Sequence, residues 1–246
     1  MTPLAQRQFK EAFSVGNLQD AERVALLSLE KNPNDWSAIY LLGTVRRAHG
    51  DFRGALSQYH QALRLTSQSA SILRACGIAH QQLGEFDKAI LAFSEALRDE
   101  PKSIEGLNSL GITYRKMKKY HHAIYYYCIA VNLCFESAHA ALRQKGLVRE
   151  VADAHDAKGF MIYESGFEAY FKALLDTPYI TLIENIGSAF EAMGDSKNAR
   201  YFFRIADTKS PVDEDLLSQI YKNAEQDAEL TPASADALEG VSQLRG

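Results

Sequence analysis

Three segments of this chain repeat one pattern at a constant interval, and this period constrains the fold more than any other feature. Each segment carries a glycine with apolar residues one and four positions before it, and these glycines are equally spaced at Gly43, Gly77 and Gly111. A second pattern follows each glycine, with an aromatic residue between two alanines, and its first copy spans residues 55–62. Both patterns have spacings of three and four residues, which place their members on one helix face. The chain is therefore predicted to be a series of helix pairs.

The glycines are expected to lie inside helices, where glycine costs about 1 kcal/mol relative to alanine. Their regular recurrence predicts that each one allows a partner helix to approach closely. A period of about 34 residues, with two helical halves and a turn between them, resembles the tetratricopeptide repeat family. The resemblance implies an all-α fold, a right-handed α-α superhelix of helix pairs. It also implies a concave groove lined by the first helix of each pair.

The pattern divides the chain into repeats and one irregular region. Four repeats are predicted at 2–35, 36–69, 70–103 and 104–137, and another at 180–213, followed by a capping helix at 214–225 and a mobile tail at 226–246. Between them, 138–179 is expected to form a lengthened irregular helix pair. Its first helix is marked by Leu142, Leu147, Val148 and Val151, and its second by the apolar residues from Phe160 to Leu175.

One predicted helix, at 123–135, is apolar on nearly every side. A helix of this kind is normally buried all round. The aromatic run that begins at Phe160 is a candidate cover within the chain, which favours a monomer. The alternative is a homodimer, or a self-associating scaffold, in which this helix pairs with another molecule.

Composition narrows the functional classes. The formal net charge is −4, which gives no reason to expect a nucleic-acid partner. No apolar run approaches the length of a membrane span, and the first residues lack the apolar core of a secretory signal. The three cysteines have neither disulfide-framework nor zinc spacing. A cytoplasmic protein is therefore expected.

Sequence motifs for chemistry are lacking. No phosphate-binding loop, metalloprotease motif or nucleophile elbow is present, so neither a cofactor nor catalysis is predicted. His121 and His122 with Cys128 could be metal ligands, but adjacent helix positions point about 100° apart, which favours surface histidines. The alternative to a non-catalytic role is an enzyme or ligand-binding protein that uses the region 138–179, with the repeats as its docking arm.

The predicted binding residues lie at the groove positions that the family resemblance implies. Arginines among them suit carboxylates, because the guanidinium forms two parallel hydrogen bonds. We therefore expect a non-catalytic adaptor or assembly scaffold that binds a protein or peptide segment, with an acidic one favoured. The family's chaperone-tail clamp is not expected, because Gln6, Leu41, Ser71 and Ala75 occupy its positions. The predicted peptide-binding residues are Tyr40, Thr44, Arg47, Arg74, Ile78, Gln81, Asn108, Ile112 and Arg115.

Overall fold

The structure is a computed structural model that describes residues 1–67, 70–145, 148–150, 160–162 and 164–228. Within these residues it contains twelve α-helices and one pair of short β-strands. The helices belong to two compact units, one with Met1–Pro101 and the other beginning at Lys102. The all-α class is confirmed, whereas the superhelical path of the pairs stays a prediction.

The first unit consists of three helix pairs, and the second helix of each of the first two pairs also packs on the first helix of the following pair. Its core is made of small and apolar residues from the facing sides of these helices, including Ala38, Ala55 and Ala62. The helices are α1 (Pro3–Ser14), α2 (Leu18–Lys31), α3 (Trp36–Ala48), α4 (Phe52–Leu63), α5 (Ala70–Gln82) and α6 (Phe86–Asp99).

A glycine in the first helix faces an aromatic ring from the second helix of its pair. A Cβ added to Gly43 would lie 2.6 Å from Cε1 of Tyr59, and one added to Gly77 would lie 2.5 Å from Cε1 of Phe93. Carbon atoms cannot approach this closely, so the ring occupies the space that a side chain would need. The close approach predicted from the glycine period is confirmed.

The first pair exchanges the large and the small residue. Phe9 stands one period before Gly43, and Ala25 stands one period before Tyr59. Both residues are buried in one apolar cluster, and the ring of Phe9 stacks on that of Phe13 at 5.6 Å between centroids. The ring therefore comes from the first helix here, and the second helix supplies the small residue.

The second unit contains two helix pairs with an insertion between them and one helix after them. Its first pair is α7–α8 and its second is α10–α11, and α10 packs on both α8 and α7. The elements are α7 (Ile104–Lys116), α8 (Tyr120–Gln144), β1 (Val148–Glu150), β2 (Phe160–Ile162), α9 (Glu164–Leu175), α10 (Tyr179–Met193), α11 (Ser196–Thr208) and α12 (Glu214–Asp227).

Helix α8 is the centre of the second unit. Fourteen of its 25 residues are buried, because α7, α9, α10 and α12 all pack against it. The ring of Tyr125 stacks on that of Tyr221 at 5.0 Å, and Nδ1 of His121 lies 3.3 Å from Oδ2 of Asp227. These contacts show that α12 runs antiparallel to α8. The cover expected for the apolar helix thus comes from within the chain, with α12 contributing as well as the region after Phe160.

The region 138–179 differs from the predicted helix pair. Its first helix is the continuation of α8, which ends at Gln144, and Val148 lies in a strand rather than in a helix. Strands β1 and β2 pair antiparallel, with Val148 opposite Ile162. Both strands contain β-branched residues, which favour extended backbone. Leu147 and Val151 lie outside the described residues, as does the predicted tail from residue 229 onward, whereas the start of that tail belongs to α12.

Most helices begin with a side chain that accepts a hydrogen bond from a backbone amide of the first turn. Lys119, the residue directly before α8, makes no such bond. The preceding Lys118 has φ +60°, in the left-handed region that is costly for residues with a Cβ. The equivalent turn positions in the other pairs carry glycines at positive φ, namely Gly16, Gly50, Gly84 and Gly194.

The ring contact in the second unit predicts the effect of adding a methyl group. We expect Gly111→Ala to lower the free energy of unfolding by about 1–3 kcal/mol, because its Cβ would overlap the ring of Tyr127. Urea unfolding followed by circular dichroism measures the change. Lys116→Ala, at an exposed position of α7, is the control and should change stability little. Equal stability of Gly111→Ala and the wild type would show that α7 and α8 are not held at this distance.

The strained turn before α8 predicts a stabilising substitution. Lys118→Gly should raise the free energy of unfolding by about 0.5–1 kcal/mol, because glycine adopts positive φ without steric cost. Lys118→Ala removes the same charge but keeps the Cβ, so it should give no comparable gain. Thermal melts of the three proteins separate the two effects, and a gain shared equally by both variants would assign it to charge instead.

Candidate protein-binding surfaces

An open cavity of about 580 Å³ lies along the first helices of the first unit. Its walls are mainly aromatic and apolar, and Lys10 is its only charged lining residue among those the structure describes. Since α1, α3 and α5 all contribute, the cavity follows the helices that the resemblance assigns to the groove. The residues that matter most here are Phe9, Lys10, Phe13, Trp36, Tyr40 and Leu41.

Tyr40 is the predicted binding residue that lies in the wall of this cavity. Its ring also packs on the ring of Tyr59 from α4, with 5.7 Å between centroids. Trp36 and Leu41 line the cavity as well, although the sequence analysis did not assign them to the site. Trp36 is half-buried at the first position of α3, so its indole has a face available to the cavity.

Thr44 and Arg47 follow Tyr40 on the same face of α3. The Thr44 hydroxyl donates to the backbone oxygen of Tyr40 at 3.1 Å. Burial raises the pKa of Tyr59, and the nearby Thr44 hydroxyl and Arg47 guanidinium offset part of this rise. The hydroxyl oxygen of Tyr59 is nevertheless buried and makes no hydrogen bond within the described structure, with either Thr44 or Arg47. The end of the Tyr59 side chain therefore lies beside two of the predicted residues.

The predicted residues on α5 have partners within the first unit. Nη1 of Arg74 donates to Oε2 of Glu100 at 3.1 Å, so part of its charge is compensated. Ile78 is half-buried, whereas Gln81 is buried and interacts with neighbouring groups. The sequence could not reveal the Arg74–Glu100 pair, because its members stand 26 positions apart.

The remaining predicted residues belong to the second unit. Asn108 on α7 accepts a hydrogen bond at 3.0 Å from the side-chain amide of Asn185 on α10. Arg115 lies close enough to Tyr127 to lower the pKa of its hydroxyl, although burial raises that pKa more, to about 12. Ile112, which stands between Asn108 and Arg115 in α7, is half-buried. The role of these three residues in binding stays a prediction.

The histidines and cysteines are the described side chains with which metal binding was considered. No group of three or more metal-ligand side chains occurs among the residues with described positions. Cys128 is fully buried, and burial raises the pKa of Cys76 to about 12, so both thiols stay protonated at neutral pH. His122 stacks on Tyr114 at 4.9 Å, away from the His121–Asp227 contact. In the described part of the chain, no helix has the length and hydropathy of a membrane span.

Known proteins share this architecture. The family model described as tetratricopeptide repeat matches residues 7–70 and 40–104. Sequence comparison with curated proteins finds no match. Among solved structures, a crystal structure of MamA is 19% identical, with a TM-score of 0.55 over 82% of this chain and 93% of that one.

Two further structures agree with this likeness. MamA of Desulfovibrio magneticus RS-1, from residue 41 to its end, is 15% identical, with a TM-score of 0.57 over 83% of this chain and 92% of that one. TTC0263, a thermophilic protein of the same repeat class from Thermus thermophilus, is 18% identical, with a TM-score of 0.54 over 89% and 96%. Such identities show a shared fold and no more. The family model therefore assigns residues 7–104 to tetratricopeptide repeats, and the solved structures show that most of the chain shares the fold of such proteins.

Proposed function

We propose that this chain is a non-catalytic adaptor that binds a peptide or protein segment along the first helices of its repeats. Its tetratricopeptide fold supports a role in protein–protein interaction or scaffolding. The cavity of the first unit supports peptide binding at this place. It is open, aromatic and large enough for an apolar side chain, and Tyr40, Phe13 and Trp36 form its walls.

The charges beside the cavity favour an acidic segment. Lys10 lines the cavity, and Arg47 lies further along the same face of α3 without an ion pair to any described carboxylate. An acidic residue in the bound segment would therefore gain charge-assisted hydrogen bonds, which are stronger than neutral ones. The proposed contact set of the first unit keeps its six sequence-predicted residues, with Trp36 and Leu41 added. In the second unit, Asn108, Ile112 and Arg115 stay predicted binding residues.

The monomeric state is also part of the proposal. Self-association through the helix at 123–135 would need its apolar side, but Tyr126 and Ile129 are buried there under other helices of the same unit. An interface at this place would require α12 or α9 to leave α8. The cytoplasmic location expected from the sequence stays a prediction.

Filling the cavity tests the proposed site. Phage-displayed random dodecapeptides are selected on the full chain, and the dissociation constant of an enriched peptide is measured by fluorescence polarisation. Ser71→Phe places a ring at the cavity wall and should weaken binding about tenfold or more, because one buried apolar side chain contributes about 1.5–3 kcal/mol.

The matched control places the same ring elsewhere. Ser57 is exposed on α4 and does not line the cavity, so Ser57→Phe should leave the dissociation constant unchanged. Melting curves establish that both variants are folded. Failure to select any peptide, or equal affinity in all three proteins, would contradict the cavity as the binding site.

A further inference from the structure

The side chain of Tyr59 lies against α3 at Gly43, with its hydroxyl close to two groove positions of that helix. Its ring lies over Gly43, where an added Cβ would be 2.6 Å from Cε1. The hydroxyl beyond the ring is consequently beside Thr44 and Arg47, which are groove positions of α3. Tyr59 is a residue of the second helix, but its buried hydroxyl lies beneath the groove face of the first helix, next to Thr44 and Arg47.

Burial of the Tyr59 hydroxyl without a hydrogen bond costs free energy of folding. The side chain is 0% exposed, and the oxygen makes no hydrogen bond to the described residues. Such groups are uncommon in folded proteins and call for an explanation. Packing does not require the hydroxyl, because Phe93 fills the equivalent place over Gly77 in the next pair.

The arginine next to this hydroxyl is also without a strong partner. Arg47 is half-buried and forms no ion pair with any carboxylate that the structure describes, in contrast to Arg74 with Glu100. Arginine and tyrosine occur together in two pairs, and neither occurs at these positions in the other two pairs that have the glycine. The combinations are Arg47 with Tyr59, Gln81 with Phe93, Arg115 with Tyr127, and Glu191 with Phe203.

We propose that the Arg47 guanidinium and the Tyr59 hydroxyl together bind a carboxylate of the partner segment, next to the apolar cavity at Tyr40. The inference rests on the proposed function and specifies its ligand. The bound segment carries an apolar side chain in the cavity and an aspartate or glutamate at the Arg47–Tyr59 pair. The carboxylate supplies the acceptor that both donors lack.

The distance along α3 fixes the spacing of the two ligand groups. Seven residues separate Tyr40 from Arg47, which is about 10.5 Å at 1.5 Å per residue. An extended peptide covers this length in about three residues, at about 3.3 Å each. The ring contact between Tyr40 and Tyr59 makes the two subsites continuous. Because burial keeps the pKa of Tyr59 above its ordinary value, its hydroxyl is protonated at neutral pH and available as a donor.

A pair of synthetic peptides tests this recognition on the full chain. Both are acetylated and amidated octapeptides with one phenylalanine, and the residue three positions later is aspartate in one and asparagine in the other. The wild type should bind the aspartate peptide about tenfold or more tightly, as measured by fluorescence polarisation. Peptides with spacings of one and five residues should show a smaller preference.

Substitutions taken from the neighbouring repeat separate recognition from packing. Tyr59→Phe and Arg47→Gln copy the residues at Phe93 and Gln81, so both variants should fold. Each should reduce the preference for aspartate to near twofold or below, while the affinity for the asparagine peptide changes little. Arg53→Gln removes an arginine from an exposed site on α4 and should retain the full preference.

The outcomes distinguish the ligand class from the function. Equal binding of the aspartate and asparagine peptides overturns the carboxylate pair and leaves the cavity function intact. A preference that persists in Tyr59→Phe or in Arg47→Gln also overturns the pair. If the wild type binds no peptide of the series, the proposed function and this inference fail together.

Discussion

The contact between a glycine and an aromatic ring determines how closely the two helices of a repeat approach, and the rest of each pair follows from that distance. At this distance the small residues of the second helix can reach the first, which is why Ala55 and Ala62 are completely buried. The constraint concerns volume rather than identity, since Phe9 and Ala25 satisfy it with the sizes exchanged. An aromatic ring and a residue without a large side chain must face each other, whichever helix supplies them. The contact recurs at Gly43 with Tyr59, Gly77 with Phe93, Gly111 with Tyr127, and Gly187 with Phe203.

This local rule explains why the sequence predicted the helix pairs but not the insertion. The pairs depend on contacts within a single repeat, and these leave a period in the sequence. Short apolar runs such as the one at Phe160 fit a strand and a buried helix equally well, so periodicity could not separate them. The sequence did not predict the position of α12 either. The apolar side of α12 indicated that this helix packs on another one. Which helix that is could not be inferred, because α8 lies far away in the chain.

The candidate site shows a similar division. The family resemblance selected first-helix positions, and Tyr40 does line a cavity. It could not say which arginine has a partner, because Arg74 meets Glu100 only in the folded chain. The sequence pattern placed Tyr59 on one helix face with Ala55 and Ala62, as the aromatic residue between two alanines. Only the folded chain shows that the ring lies over Gly43 and brings the buried hydroxyl next to Thr44 and Arg47.

The burial of α8 has a consequence for the order in which the protein is made. Seventy positions separate Gln144 at the end of α8 from Glu214 at the start of α12. At about 5–20 residues per second, a ribosome takes several seconds to cross that interval. During this time the side of α8 that carries Tyr125 has no Tyr221 to cover it, and nascent chains can meet through this side. Chaperones that recognise exposed apolar helices would act on this stage of synthesis. For the same reason, a version of the protein shortened before α12 would leave this side of α8 uncovered.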